Sequence, residues 1–273
     1  MKKKIIITGA LGYIGTELCK LYSGFSWKYE VVAIDNRFIS ERVNELKRRK
    51  IKFIQADILN HDDIKQFIQR ADVVHHLAGI TDVAYVKKDS NKEQDEKIKK
   101  VAIEGTENVL KSMNVNATIV FPSTHVVFEG LKEPKEDIDE TEKTSTFLAY
   151  SSSKVENENQ IIKSGKKYAI FRLGSVYGFS TDTMRINIMP NLFSKIASQN
   201  GKLKLFGRGT QLKSLVPLID VARCFKFVEE NEKFESGIYN LTKENTTVKE
   251  VAEICKKINP KMEISETDDE VPN

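Results

Sequence analysis

At 273 residues, with 43 basic and 39 acidic side chains and a formal net charge of +4, the chain has the length of one large α/β core with a smaller lobe. Its basic residues are interspersed with acidic ones, and the densest runs, Lys2-Lys3-Lys4 and Lys47-Arg48-Arg49-Lys50, read as solvated ends of a strand and a helix, which excludes a dedicated nucleic-acid surface. No apolar stretch approaches bilayer length, and Cys19, Cys224 and Cys255 are odd in number and lack metal spacing, so a cytoplasmic protein with reduced thiols, no metal and no membrane partner is expected.

The apolar run Ile5-Ile6-Ile7 predicts a buried strand, and Thr8-Gly9-Ala10-Leu11-Gly12-Tyr13-Ile14-Gly15 behind it opens an amphipathic segment. That is a strand, a glycine turn and a helix N-terminus in order. Gly9 permits the tight turn, Gly12 lets a pyrophosphate approach the backbone, and Gly15 lets the helix lie close to the strand. The positive end of the helix then faces the phosphates. A second strand, Glu30 to Ile34, ends at Asp35, about twenty residues past the last glycine, where a carboxylate binds the adenosine ribose hydroxyls. The acid favours NAD over NADP, although Arg37 stands two residues on.

Further along, Lys52-Phe53-Ile54 leads to Asp57, a helix spans His61 to Gln69, and Asp72 to Leu77 forms a strand ending at Ala78-Gly79. A charged segment from Lys87 to Lys100 precedes a long helix to about Met113, and Ala117 to Phe121 is another core strand. A helix near Thr146 to Lys163 and a strand from Tyr168 to Leu173 complete an alternation that implies a doubly wound parallel sheet of the Rossmann type with helices on both faces. Beyond Gly178 the pattern loosens. A helix at Ile188 to Ala197, a strand at Lys202 to Phe206, a stretch at Leu212 to Leu218, a helix from Asp220, a strand at Gly237 to Leu241 and a helix at Val248 to Ile258 are expected there. The reading is a dinucleotide-binding domain over residues 1–178 and a substrate-binding lobe over 179–273, with some late elements returning to the sheet.

Tyr150-Ser151-Ser152-Ser153-Lys154 carries the chemistry. Side chains at i and i+4 share a helix face, so the phenol and the ammonium converge. A positive charge about 4 Å from a phenolate gains on the order of 4 kcal/mol at an effective dielectric near 20, enough to move a phenol from about 10 towards neutrality. Such a tyrosine exchanges a proton with a sugar hydroxyl while hydride moves to or from a nicotinamide. Tyr239 and Lys243 share the separation, but they span a strand end and a turn, where convergence is not required. Thr124 stands just past a core strand and offers a hydroxyl to the reacting oxygen, with Ser123 as the second candidate.

These residues resemble the extended short-chain dehydrogenase/reductases, in particular the NAD-dependent nucleotide-sugar epimerase/dehydratase group. The likeness runs through Thr8 to Gly15, Asp35-Asn36, Asp57-Ile58, His76-Leu77-Ala78-Gly79, Gly105-Thr106 with Asn108, Ser123-Thr124, Tyr150 with Lys154, Arg172 to Gly178, Phe206-Gly207-Arg208-Gly209 and Asp220-Val221-Ala222-Arg223. It implies that Tyr150 is the acid/base, that Lys154 holds the nicotinamide ribose and lowers the Tyr pKa, and that Thr124 supports the transferred proton. Gly9, Leu11, Gly12, Tyr13, Ile14, Gly15, Asp35 and Asn36 would hold NAD, with Asp57 and Ile58 bordering the adenine and Leu77, Ala78 and Gly79 running beside the cofactor. Ser123, His125, Ser175 and Lys213 are the candidate substrate contacts.

The implied reaction is transient oxidation at sugar C4, turning of the ketone in the site, and reduction from the other face. Ser175 stands where many relatives have Asn, Ala102 replaces another Asn, and Lys213 takes the place of a diphosphate-gripping Arg. The 4,6-dehydratases carry Asp-Glu after the catalytic Thr; here His125 and Val126 stand there, which argues against dehydration. The run Ser123 to Gly130 also looks like that of nucleotide-sugar 4-keto reductases, so a one-way reductase is the alternative. A dinucleotide sensor without catalysis is a further reading, opposed by the intact Tyr150 and Lys154. A homodimer through helices near 95–113 and 146–163 is implied by the resemblance. Relatives continue beyond the point matching Pro272-Asn273, so either part of the lobe is missing or the protein is a compact variant.

Overall fold

The structure is a computed structural model that describes residues 2–81, 91–131, 135–180 and 183–269. Lys87 to Ser90 of the charged run and the chain end from Glu270 lie outside the described residues. The elements in order are β1 (Lys3–Thr8), α1 (Tyr13–Ser23), β2 (Tyr29–Asp35), α2 (Ser40–Arg48), β3 (Lys52–Gln55), α3 (His61–Ile68), β4 (Val73–His76), α4 (Lys92–Ser112), β5 (Thr118–Thr124), α5 (Ala149–Lys163) and β6 (Lys167–Leu173). There follow β7 (Ser175–Tyr177), α6 (Met189–Ser198), β8 (Lys202–Leu205), β9 (Leu212–Pro217), α7 (Leu218–Glu230), β10 (Gly237–Leu241), β11 (Glu244–Thr247), α8 (Val248–Ile258) and β12 (Glu263–Glu266).

Two compact units emerge: residues 1–172 with 222–240, and residues 173–221 with 241–273. The division read from the sequence stands after residue 178. In the first unit a seven-stranded sheet has the order β10-β6-β5-β4-β1-β2-β3. The pairs β1 with β2, β1 with β4, β2 with β3 and β4 with β5 are parallel. The order turns back between β1 and β4, and a doubly wound sheet binds its ligand in the crevice beyond the carboxyl ends of such strands.

Strands buried on both faces read as continuous apolar runs, which is why Ile5, Ile6 and Ile7 are all inaccessible to solvent. Alternate residues face opposite sides. Ile6, Val32, Ile34, Val74, Ile119, Phe121 and Ile170 pack with Ile64 and Ile68 of α3, Val109 and Leu110 of α4 and Ile161 of α5. On the other side, the Tyr22 hydroxyl of α1 meets His75 Nε2 at 2.8 Å. Phe225 of α7 stacks on His75, with centroids 6.2 Å apart, and on Phe171 at 5.3 Å. Burial pushes the His75 imidazole down to about 3, so it is neutral.

The second unit has its own core, formed by Phe193, Ala197, Leu203, Leu205, Leu215, Val251, Ala252, Cys255 and Met262. Its sheets are β11-β9-β7 and β12-β8. A reciprocal capping box between Thr247 and Glu250 starts α8, so the capping motif and the apolar period both mark this helix in the sequence. Among the described residues, no helix is long and apolar enough to cross a membrane.

Phe225, with Ala222 and Val228, anchors the latter part of α7 in the first unit's core. Phe225→Ala should therefore lower unfolding free energy by about 3–5 kcal/mol in urea titrations, and a loss below about 1 kcal/mol would contradict this placement.

Candidate active site

At the end of β1 the chain must reverse within a few residues and leave room in front of α1. Gly9 takes φ +66°, and a Cβ there would stand 2.7 Å from the Ala78 nitrogen and 2.8 Å from the Leu77 carbonyl carbon. Any side chain would wedge the turn away from the loop after β4. At Gly15 a Cβ would come within 2.5 Å of the Gly9 oxygen and 2.8 Å of Ala10 Cα, so this glycine brings the helix against the turn. Gly12 is the N-cap of α1, no side chain caps it, and the first turn contains no acid. The positive helix end is thus left without a neutralising carboxylate of its own, as an anion site requires. Leu11 lies in the glycine turn, and Tyr13 and Ile14 are the first two residues of α1.

Asp35 closes β2, and its carboxylate is buried. Oδ2 accepts from the Leu11 N–H at 3.0 Å, which ties the acid to the glycine turn. Arg37 takes most of the remaining capacity, with its N–H 3.1 Å and Nε 3.0 Å from Oδ1 and its Nη2 3.2 Å from Oδ2. Next to it, Asn36 donates to Asp57 Oδ2 at 3.1 Å. Ile58 is held from α4: Asn108 donates to its carbonyl at 3.0 Å, and a Cβ on Gly105 would strike its Cδ1 at 2.4 Å. Leu77, Ala78 and Gly79 follow β4, where the Leu77 and Ala78 N–H groups donate to the Thr8 carbonyl and hydroxyl oxygens, both at 3.2 Å. His76 lies 2.9 Å from the Thr8 hydroxyl and 3.0 Å from that of Thr106, and burial, with the Lys154 charge, pushes it down to about 3.

The second cluster joins β5 to α5. Thr124 ends β5, is buried, and its hydroxyl accepts from the Val126 N–H at 3.3 Å, starting a short 3-10 helix over His125–Phe128. Tyr150 is the second residue of α5 and half-buried. One turn on, the Lys154 ammonium donates to the Pro122 carbonyl at 2.8 Å and lies 4.4 Å from the Phe121 ring centre and 5.8 Å from that of Tyr150. Desolvation lowers the Lys154 ammonium to about 8, against the opposing pull of Glu158.

Ser123 is engaged elsewhere. Its hydroxyl donates to Glu158 Oε1 at 2.5 Å, and Glu158 also receives Arg172 Nε at 3.1 Å and Nη2 at 2.9 Å. Arg172 and Glu158 are both buried, and Arg172 donates onward to the Glu140 carbonyl at 3.2 Å. The sequence reading did not single out Glu158. Its only local signal is a place one turn beyond Lys154 on the same face. By contrast, the Tyr239 hydroxyl donates to the Glu235 carbonyl at 2.7 Å.

In the second unit, Ser175 lies on β7 opposite Leu215, and Lys213 is exposed on β9 opposite Thr246 of β11. The two sit on neighbouring strands of one sheet.

The residues of the first unit fit a dinucleotide, because the glycines let the turn pack directly on the loop after β4 and on α1, and the helix end behind it has no side-chain cap or first-turn acid of its own. Comparisons agree. The model of the NAD dependent epimerase/dehydratase family matches residues 5–242. A putative UDP-glucose 4-epimerase of Methanocaldococcus jannaschii is 29% identical, with 92% of this chain aligned to 81% of that protein. A UDP-N-acetyl-alpha-D-glucosaminuronate decarboxylase of Bacillus cytotoxicus is 25% identical, over 93% of this chain and 79% of that protein. Among solved structures, the UDP-glucuronic acid 4-epimerase of Bacillus cereus, in complex with UDP-glucuronic acid and NAD, is 26% identical with a TM-score of 0.82, covering 98% of this chain and 87% of its own.

The lowered Lys154 value has a direct readout. In competitive acetylation across pH, Lys154 should become reactive with a midpoint near 8, well below the value of about 10.4 for ordinary lysines. A Lys154 midpoint equal to that of the exposed lysines would contradict the desolvation described above.

Proposed function

The chain belongs to the NAD dependent epimerase/dehydratase family, and from that membership we propose an NAD-dependent 4-epimerase of a nucleotide-linked sugar. Its cofactor is NAD, which when bound supplies the acceptor and donor of hydride at sugar C4. In this reading Tyr150 removes the proton of the 4-hydroxyl as the sugar is oxidised and returns it when the ketone, turned over in the site, is reduced from its other face. Lys154 favours the ionised phenol by charge and holds the nicotinamide ribose. Thr124 hydrogen-bonds the reacting oxygen.

The glycine turn, with Gly9, Gly12 and Gly15, receives the pyrophosphate, and Asp35 receives the ribose, sharing its oxygens with Leu11 and Arg37. Asp57 and Ile58 border the adenine. His125, Ser175 and Lys213 are proposed as substrate contacts, whereas the bond from Ser123 to Glu158 favours a supporting role for that serine. A homodimer through the helices at 95–113 and 146–163 belongs to the same proposal.

The reading is supported by Lys154 of α5, whose ammonium lies 5.8 Å from the Tyr150 ring centre and donates to the Pro122 carbonyl of β5, the strand that ends in Thr124. A one-way 4-keto reductase is the second reading, favoured by the run Ser123 to Gly130. Denaturing the purified protein and identifying the released dinucleotide separates the two. Tightly held NAD supports the epimerase, while an empty site that consumes NADH or NADPH with a ketosugar supports the reductase.

Tyr150→Phe should lower turnover by about 10²–10⁴-fold with NAD binding retained. Undiminished turnover in that variant would remove Tyr150 from the mechanism.

A further inference from the structure

The helix that carries Tyr150 and Lys154 lacks the usual means of starting a helix. Its N-cap residue is Leu148, no side chain of its own caps it, and no acid lies in its first turn. The acceptor arrives from another part of the chain. Oε1 of Glu129 accepts from the N–H groups of Phe147 at 3.1 Å and Leu148 at 2.9 Å, and from the Ser151 hydroxyl. A carboxylate at this end also complements the helix dipole.

Glu129 is itself tied to the strand end. It directly follows the 3-10 helix His125–Phe128, whose first turn is capped by Thr124. Two backbone bonds then join this turn to the segment entering α5: Ser145 N–H to the Val127 carbonyl at 2.8 Å, and Gly130 N–H to the Ser145 carbonyl at 2.9 Å. The approach is close: a Cβ at Gly130 would stand 2.6 Å from the Ser145 hydroxyl oxygen and 3.1 Å from its carbonyl oxygen, so a larger residue would have to turn that hydroxyl aside.

We propose that Glu129 is a positioning residue for the reactive phenol: its carboxylate fixes the first turn of α5 against the end of β5 and so sets where Tyr150 stands relative to Thr124. The proposal rests on the reading of Tyr150 as the acid/base. Tyr150 belongs to the first turn, whose amides have no partners within the helix, so a frayed start carries it away. Lys154 is one turn further and keeps its own bond to Pro122. Loss of Glu129 therefore acts on proton transfer and leaves cofactor binding in place.

The test compares Glu129→Ala and Glu129→Gln with the parent protein, using amide hydrogen exchange, NAD affinity and turnover of a UDP-sugar the parent accepts. In Glu129→Ala, exchange over residues 147–152 should rise and kcat should fall, each by about tenfold or more, while NAD affinity stays within about twofold. Glu129→Gln keeps an acceptor oxygen and should recover most of both losses. Should the alanine variant not fold, Ser151→Ala, which removes one of the three bonds, should give a smaller change in the same direction. Parent-like kcat and exchange in Glu129→Ala, or equal losses of kcat and NAD affinity, would overturn the proposal. If the parent turns over no nucleotide sugar, the epimerase reading falls. Glu129 is then judged by exchange and by the ¹³C resonance of the Tyr150 ring, assigned from its absence in Tyr150→Phe. A resonance displaced in Glu129→Ala and restored in Glu129→Gln supports the positioning role, and one identical in all three proteins overturns it.

Discussion

The ammonium of Lys154 donates to the carbonyl of Pro122, and this bond links the helix bearing the phenol to the strand that ends in the Thr124 hydroxyl. A lysine here loses much of its hydration, which is why its ammonium is lowered to about 8, and it regains part of that loss from the carbonyl and the face of Phe121. The bond in turn needs α5 held at a fixed height over β5. Behind it, Glu158 joins Ser123 of the strand to Arg172 of β6, a buried ion pair whose carboxylate oxygens are both satisfied. Removing one partner of such a pair leaves an uncompensated buried charge, so losing either side chain would weaken the junction of α5, β5 and β6.

The glycine turn sits in the same unit and obeys a different constraint. Its requirement is absence of side chain: Gly9 meets the loop after β4, and Gly15 meets the turn itself. Parallel pairing of β1 with β2 and with β4 sets that turn at the reversal of strand order. Asp35 joins both features, since its carboxylate accepts from Leu11 of the turn while ending the neighbouring strand.

Much of this was legible in the sequence because the signals are local. The run Ile5-Ile6-Ile7 reads as a strand buried on both faces, and Val248–Ile258 reads as a helix with its bounds as observed. The short strands β7, β11 and β12 have no apolar run to announce them; Glu244–Thr247 contains no apolar residue at all. Tyr150 and Lys154 stand out in the sequence because helical spacing puts them on one face, and the Lys154 ammonium lies 5.8 Å from the Tyr150 ring centre. Glu129, Glu158 and Arg172 act through partners 14 to 35 residues away, and no spacing rule foretells those bonds. Arg37 is a visible sequence neighbour of Asp35, but its pairing with that carboxylate is a matter of side-chain conformation. The return of residues 222–240 to the first unit likewise joins distant parts of the chain, through Phe225 stacking on His75 and Phe171 and through β10 beside β6.

The proposed mechanism asks the Lys154 charge to favour ionisation of the Tyr150 phenol beside bound NAD. Titration of the Tyr150 hydroxyl in the NAD complex, read as the ultraviolet difference between the parent and Tyr150→Phe and repeated in Lys154→Met, tests it most directly. Ionisation well below the ordinary value of about 10 is expected in the parent, with return towards that value in Lys154→Met. A phenol that ionises at or above its ordinary value in both proteins would contradict it.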